Sequence, residues 1–350
     1  MFRTLQRWQE RYLGDEQALV LVMLLVIAGL LVLWMGSILA PIFASMVLAY
    51  LLQGLVKVMK QLGMPKLVAV TGVTLLFLLV LVGTIFGLIP LLWQQLSRLA
   101  ARDLPSMTEQ VQNVILSLSE KFSGIFGEQL VRAWSDALNS QITEFSSAIL
   151  SSSLDTLFNL VQLGVYLILV PLLVFFMLKD SPALLKWCTS FLPERRHILQ
   201  QVWVELDRQL ANYVRGKALE ILIVGTAAYI IFAVLDLNYA VLLGLLVGLS
   251  VLVPYVGALV VTVPVLAVGY FQWGTGDTFL YLAVSYAILQ TLDANMLVPL
   301  LFSEAVSLHP VAIILAVLVF GGLWGFWGIF FAIPLATLVK ALLEAWPRTE

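Results

Sequence analysis

At 350 residues, with 61% hydrophobic and 11% charged side chains, the chain lies far outside the composition of soluble domains and reads as an integral membrane protein. Its mean hydropathy of +1.00 agrees. Nineteen basic and 21 acidic residues leave a net charge of −2, so no overall basic field points to a nucleic-acid partner. A single cysteine, Cys188, and two histidines exclude an internal disulfide, a CxxC redox pair and a zinc site, so no metal or cofactor is expected.

Residues 1–92 are expected to form an N-terminal membrane part of three spans. Residues 18–35 follow Arg3, Arg7 and Arg11 as a signal sequence would, but they are long enough to cross and read as a retained first helix. Residues 18–59 are continuously apolar, and one helix of about 40 residues would be about twice the hydrocarbon thickness. Gly36-Ser37 and Pro41 therefore predict a break between two spans. A third span, 67–92, follows Lys57, Lys60 and Lys66.

Residues 93–155 hold four basic and seven acidic residues with many Ser and Gln, which predicts an aqueous segment. Ser106-Met107-Thr108-Glu109 has the S-x-x-E form of a capping box. Apolar residues at helical spacing before and after Gly124 and Gly127 predict a helical hairpin. Residues 156–178 read as a fourth span. In 179–217, Pro182 and Pro193 suit a helix's first turn, and a stripe including Leu206, Leu210 and Tyr213 is surrounded by Arg195, Arg196, Arg208, Arg215 and Lys217. This predicts an amphipathic helix along the cytoplasmic interface.

Residues 218–350 are expected to form a C-terminal membrane part. Residues 218–235 are a fifth span, with Glu220 expected to pair with Lys217 or Arg215 at the surface. Two over-long apolar stretches follow, 239–271 and 310–343, interrupted around Pro254 and Gly257 and around Gly325, Gly328 and Pro334. The fold expected is all-α and polytopic, with about eight transmembrane segments, two of them broken or re-entrant, an external helical hairpin and a cytoplasmic amphipathic helix. Seven Lys and Arg in 179–217, against four across 93–155, put both termini in the cytoplasm. Eight crossings satisfy that sidedness, and so do six with both over-long stretches re-entrant.

Asp293 stands in an otherwise lipid-compatible run, where a carboxylate near the bilayer centre costs roughly 2.5–3.5 kcal/mol and needs water or a partner. Gln290 and Asp293 share a helical face at i and i+3, and Asn295 and Pro299 follow closely. Two interrupted segments bracketing an acidic span point to broken helices lining a transport site, with Pro254, Tyr255 and Gly257 in the first break and Gly325 and Gly328 in the second. The alternative is that these glycines serve close helix packing. Asp293 and His309 are candidates for carrying a proton, although His309 before Pro310 reads better as structural. No nucleotide-binding loop, HExxH or GxSxG is present, so no catalytic residue is expected.

Pro254-Tyr255-Val256-Gly257, the run Leu292-Asp293-Ala294-Asn295 to Pro299 and Phe302, Leu308-His309-Pro310, and Gly325-Phe326-Trp327-Gly328 to Pro334 resemble the C-terminal signature of the AI-2E family transporters. Ala49-Tyr50-Leu51 after Pro41, Phe176 to Asp180, and Tyr213-Val214-Arg215-Gly216-Lys217 extend the likeness to nearly the whole chain, nearest to a permease branch. Gln53-Gly54 departs from the proline with which many relatives end the second span. The resemblance implies an inner-membrane transporter, assembled as a homo-oligomer such as a pentamer, that exports the signal autoinducer-2 or exchanges sodium or lithium for protons. The expected function is secondary transport or facilitated export of a small polar solute. The alternatives are cation/proton antiport and a non-transporting membrane scaffold.

Overall fold

The computed structural model describes residues 16–121, 128–190, 197–302 and 308–345, and every regular element among them is helical. The expectations for Arg3, Arg7, Arg11, Gly124, Gly127, Pro193, Arg195 and Arg196 lie outside the described residues. Among the described residues seven helical stretches are long and apolar enough to cross a membrane, and an eighth apolar helix, Ala240–Ser250, is shorter. The fold is thus an all-α, polytopic membrane architecture.

The predicted break at Gly36-Ser37 and Pro41 does not form. α1 runs uninterrupted from Glu16–Gln61. A proline removes one helical hydrogen bond, a loss that packing against neighbouring helices makes tolerable in a membrane. Here Pro41 is buried, and Ser45 Oγ donates to Pro41 O at 2.6 Å and reaches Val170 O at 3.4 Å. The helix also continues through Gln53-Gly54, where Arg215 donates to Tyr50 O at 3.1 Å and Gln53 Oε1 at 3.4 Å.

α2 (Lys66–Gly83), α3 (Ile89–Arg98) and α4 (Leu104–Lys121) form one helical run, joined by π turns at Thr84–Leu88 and Leu99–Asp103. A third π turn, Asp293–Leu297, separates α9 (Asp277–Leu292) from α10 (Val298–Phe302). Each π turn ends two residues before a proline: Pro90, Pro105 and Pro299. A proline ring collides with the carbonyl four residues back, and admitting one extra residue to the turn relieves that collision without ending the helix. The capping box at Ser106 is overturned for this reason. The helix is already under way there, and Ser106 Oγ donates to Asp103 O at 2.9 Å.

α4 packs against α5 (Glu128–Ser190), as a helical hairpin requires, and α5 kinks at Asp180, just before Pro182. The amphipathic helix and the fifth span are a single helix, α6 (His197–Val234), so the separate interfacial helix ending at Lys217 is also overturned. Nothing between Arg208 and Glu220 caps or breaks it, and Gly216 lies within it against the Phe302 ring.

The stretch 239–271 breaks as expected into α7 (Ala240–Ser250) and α8 (Val256–Trp273). With 11 residues α7 is about 16 Å long, roughly half the hydrocarbon thickness, which fits the re-entrant alternative. The last stretch is α11 (Pro310–Phe330), with Gly325 at φ 59° inside it, followed by α12 (Ala332–Ala345).

Between helices in lipid, close packing replaces the hydrophobic drive. α6 and α7 meet glycine to glycine: a Cβ on Gly248 would stand 2.9 Å from Gly225 Cα, and one on Gly244 would stand 2.9 Å from Tyr229 Cβ. One apolar cluster then unites α6 to α9 around Phe232, Val247, Val265 and Leu282, and another unites α1, α2 and α5 around Val70, Val73 and Val174. A third, built on Tyr213, Leu252, Phe302 and Phe330, joins the two breaks.

A Cβ on Gly257 would lie 1.8 Å from Ser250 O, whereas nothing lies within 4 Å of one on Gly36. Gly257→Ala should therefore lose on the order of 3 kcal/mol or more of stability. Gly36→Ala, inside a continuous helix, should be neutral or gain up to about 1 kcal/mol. Thermal unfolding in detergent checks both, and a clear loss in Gly36→Ala would contradict the unbroken α1.

Candidate functional site

α6 places Lys217 and Glu220 on one face at i and i+3, and both side chains are taken out of solvent, at 6% and 2% exposure. Lys217 Nζ lies 2.7 Å from Glu220 Oε2. It also donates to Val251 O at 2.8 Å and stands 5.1 Å over the Phe302 ring. The surface pairing expected for Glu220 is corrected accordingly: the partner is Lys217, but the pair is internal. Val251 belongs to the unwound turn between α7 and α8, where its carbonyl has lost its helical donor. Lys217 thus answers a carbonyl that the break sets free. Tyr255 supports the turn with φ 62°, a conformation that costs a non-glycine residue energy, and Gly257 closes it against Ser250 O.

Facing this turn is a cavity of about 420 Å³. Lys217, Glu220, Gln290 and Asp293 give it polar groups, and Pro254, Leu259, Val298 and Ile313 are among its apolar walls. Asp293 opens the π turn, a geometry that recurs at functional sites. Its Oδ1 is enclosed, and no protein donor among the described residues reaches it. Gln290 Nε2 donates to Tyr286 Oη at 2.8 Å, and Thr262 Oγ1 donates to the same hydroxyl at 3.3 Å, so the edge beside Asp293 is fixed. The cavity contains two carboxylates and one ammonium behind mostly apolar walls, a composition suited to holding a small solute through a few oriented polar groups.

Of the residues singled out in the sequence, Asp293, Gln290, Pro254 and Tyr255 come together here, with Gly257 shaping the turn. Asn295 does not join them. It is exposed, and its Nδ2 donates to Thr291 O at 2.9 Å, because two residues beyond Asp293 a helix faces almost the opposite way. Pro299 is also exposed, outside the cavity. Gly325 and Gly328 do not line it. Gly325 makes the turn, and a Cβ on Gly328 would lie 1.8 Å from Phe320 O, so this glycine serves close packing. The second broken segment contributes Ile313 and Ile333 instead. His309 is exposed and caps α11, its Nδ1 accepting from Val311 N at 3.2 Å.

Sequence reasoning missed Lys217, Glu220 and Phe302 as members of the site. The signal available for the first two was their i, i+3 spacing inside a helix that carries no stop before Val234. Removing one partner of a buried ion pair strands the other charge at a cost of about 3–5 kcal/mol. Lys217→Met should lose stability on that scale, and adding Glu220→Gln should recover much of it, as read by thermal unfolding of purified protein. A double variant no more stable than Lys217→Met would show that the pair is not the source of the loss.

Over residues 20–348 the chain matches the family described as AI-2E family transporter. It is 42% identical to PerM of Escherichia coli (strain K12), named as a permease, across 99% of this chain and 98% of that protein. YueF of Bacillus subtilis (strain 168), named as a transport protein, is 27% identical across 89% of this chain and 84% of its own length. YrrI of the same organism, named likewise, is 25% identical across 88% and 86%. A polytopic helical architecture agrees with such names, and the chain belongs to the AI-2E family of membrane transporters.

Proposed function

We propose that this chain moves a small polar solute outward across the cell inner membrane, using the cavity at Asp293 as its binding place. The observation that carries this reading is the enclosed Asp293 Oδ1, which has no protein donor among the described residues. A buried acceptor without a partner is costly, and a solute hydroxyl, amine or water would satisfy it. A volume of about 420 Å³ is of a size to hold a small solute, and the apolar walls leave recognition to Asp293, Gln290 and the Lys217–Glu220 pair. The family name makes autoinducer-2, or a compound of similar size and polarity, the first solute to try. The distribution of Lys and Arg supports a cytoplasmic position for both termini, and the family likeness makes a homo-oligomer, five copies being the first state to test, the expected assembly.

A second reading, cation/proton exchange, is favoured by the excess of carboxylates over ammonium groups in the same cavity. The two readings separate in proteoliposomes. Under the first, autoinducer-2 or a similar neutral solute equilibrates without any ion gradient, and Asp293→Asn lowers the rate at least ten-fold while the protein still purifies folded. Under the second, sodium or lithium flux depends on a pH gradient and disappears in Asp293→Asn. Wild-type rates in Asp293→Asn for every solute and ion would remove the cavity from both.

A further inference from the structure

A second cavity, of about 350 Å³, lies along α6 beside the first. Its polar groups are Glu205, Arg208, Gln209, Asn212 and Arg215, and Phe302 lines both cavities. Arg208 Nη2 is 2.9 Å from Glu205 Oε2, and Gln209 Nε2 donates to Glu205 Oε1 at 2.7 Å, so a charged and polar surface lines this second space. Two guanidiniums and one carboxylate face it, the reverse of the charge balance around Asp293.

The ring between the two spaces is buried, with 7% of Phe302 exposed, and it is gripped from three sides. Lys217 Nζ stands 5.1 Å from its centroid, and the Tyr213 ring lies at 5.9 Å. The third side is the bare backbone of Gly216, where a Cβ would come within 2.7 Å of Phe302 Cε1. Only glycine at 216 leaves the ring room to lie flat against α6. The same ammonium that contacts Phe302 is paired with Glu220 inside the inner cavity, so the ring is attached to the charged group it screens.

We infer that the two cavities are successive chambers of one solute path, with Phe302 as the barrier between them and the chamber at Asn212 and Arg215 as the approach for a small, water-soluble polar solute. This rests on the reading of the Asp293 cavity as a binding place. An apolar ring between two chambers that each carry charged groups stops water and solute while it lies across the passage, and turning one side chain off Gly216 joins the chambers without moving a helix.

Thiol labelling tests this without any transported solute. In a Cys188→Ser background, Asn212→Cys reports on the outer chamber and Ala258→Cys on the inner one. A cationic, membrane-impermeant methanethiosulfonate is added to the face of the membrane from which Asn212→Cys reacts. With Phe302 in place, Ala258→Cys should react at least ten-fold more slowly than Asn212→Cys. That gap should close in Phe302→Ala and narrow in Phe302→Leu, which carries the test should the alanine variant fail to fold. Gly216→Ala, by displacing the ring, should speed the Ala258→Cys reaction when Phe302 is present and add nothing in Phe302→Ala. Equal Ala258→Cys rates with and without the ring, in proteins whose Asn212→Cys reactivity is intact, would overturn the barrier. Failure of Asn212→Cys to react from either face would overturn the outer chamber. A gated labelling pattern in a protein whose flux ignores Asp293→Asn keeps the barrier and removes the binding place, so the two readings fail separately.

Discussion

An ammonium held away from water in a membrane protein needs oxygen acceptors on most of its donors, and the centre of this molecule is arranged to supply them to Lys217. One acceptor, Glu220, comes from the same helix, and the other, Val251 O, comes from the unwound turn that follows α7. The dependence runs both ways. Unwinding leaves the Val251 carbonyl without a helical donor, which lipid cannot supply, and the donor that answers it reaches across from α6. The reach depends in turn on how closely α6 and α7 approach, and that is set by Gly225, Gly244 and Gly248, where side chains would hold the backbones apart. Three glycines, one broken helix and one buried lysine therefore stand or fall together, and Asp293 lies against that assembly as the acceptor left over.

Much of the architecture was legible because it follows from composition and from proline and glycine placement. Apolar runs of membrane length predicted spans, and Pro254-Tyr255-Val256-Gly257 predicted a break that the structure places at the cavity. Gln290 and Asp293 were placed together by helical spacing alone, and they line the same wall. Pro41 misled because the chain had a second way to accommodate a proline. Pro90, Pro105 and Pro299 are preceded by π turns and Pro41 by a plain helix, so none of them ends a span.

Lys217 and Glu220 were misplaced for a different reason. Charges at the edge of an apolar run are ordinarily interfacial, and 218–235 taken alone puts both at that edge. α6, however, begins at His197 and passes through this point without a cap, so the pair falls near its middle, where neighbouring helices cover it. Asn295 erred in the opposite direction, since nearness in sequence to Asp293 was read as nearness in space. Two residues along a helical turn carry a side chain to nearly the opposite face, and Asn295 is exposed there. Phe302, though part of the family signature, gave no signal of its place, because an aromatic residue in an apolar run looks the same whether it faces lipid, core or passage.

The two breaks use one helix in different ways. At the second, the carbonyl of Phe330 accepts from Tyr213 Oη at 2.8 Å; at the first, Val251 O accepts from Lys217. Tyr213 and Lys217 are four residues apart on α6, so one helical face supplies the donor for both discontinuities. The donors differ in kind. A tyrosine hydroxyl is neutral and leaves nothing further to balance, and around the second break the chain closes on itself, with Phe320 stacked on Trp324 and Gly328 against Phe320 O. An ammonium brings a charge that must be matched, and matching it draws Glu220 into the interior and leaves Asp293 facing the same space. A broken membrane helix is thus not in itself a site. The one that became a cavity is the one whose freed carbonyl is answered by a charge.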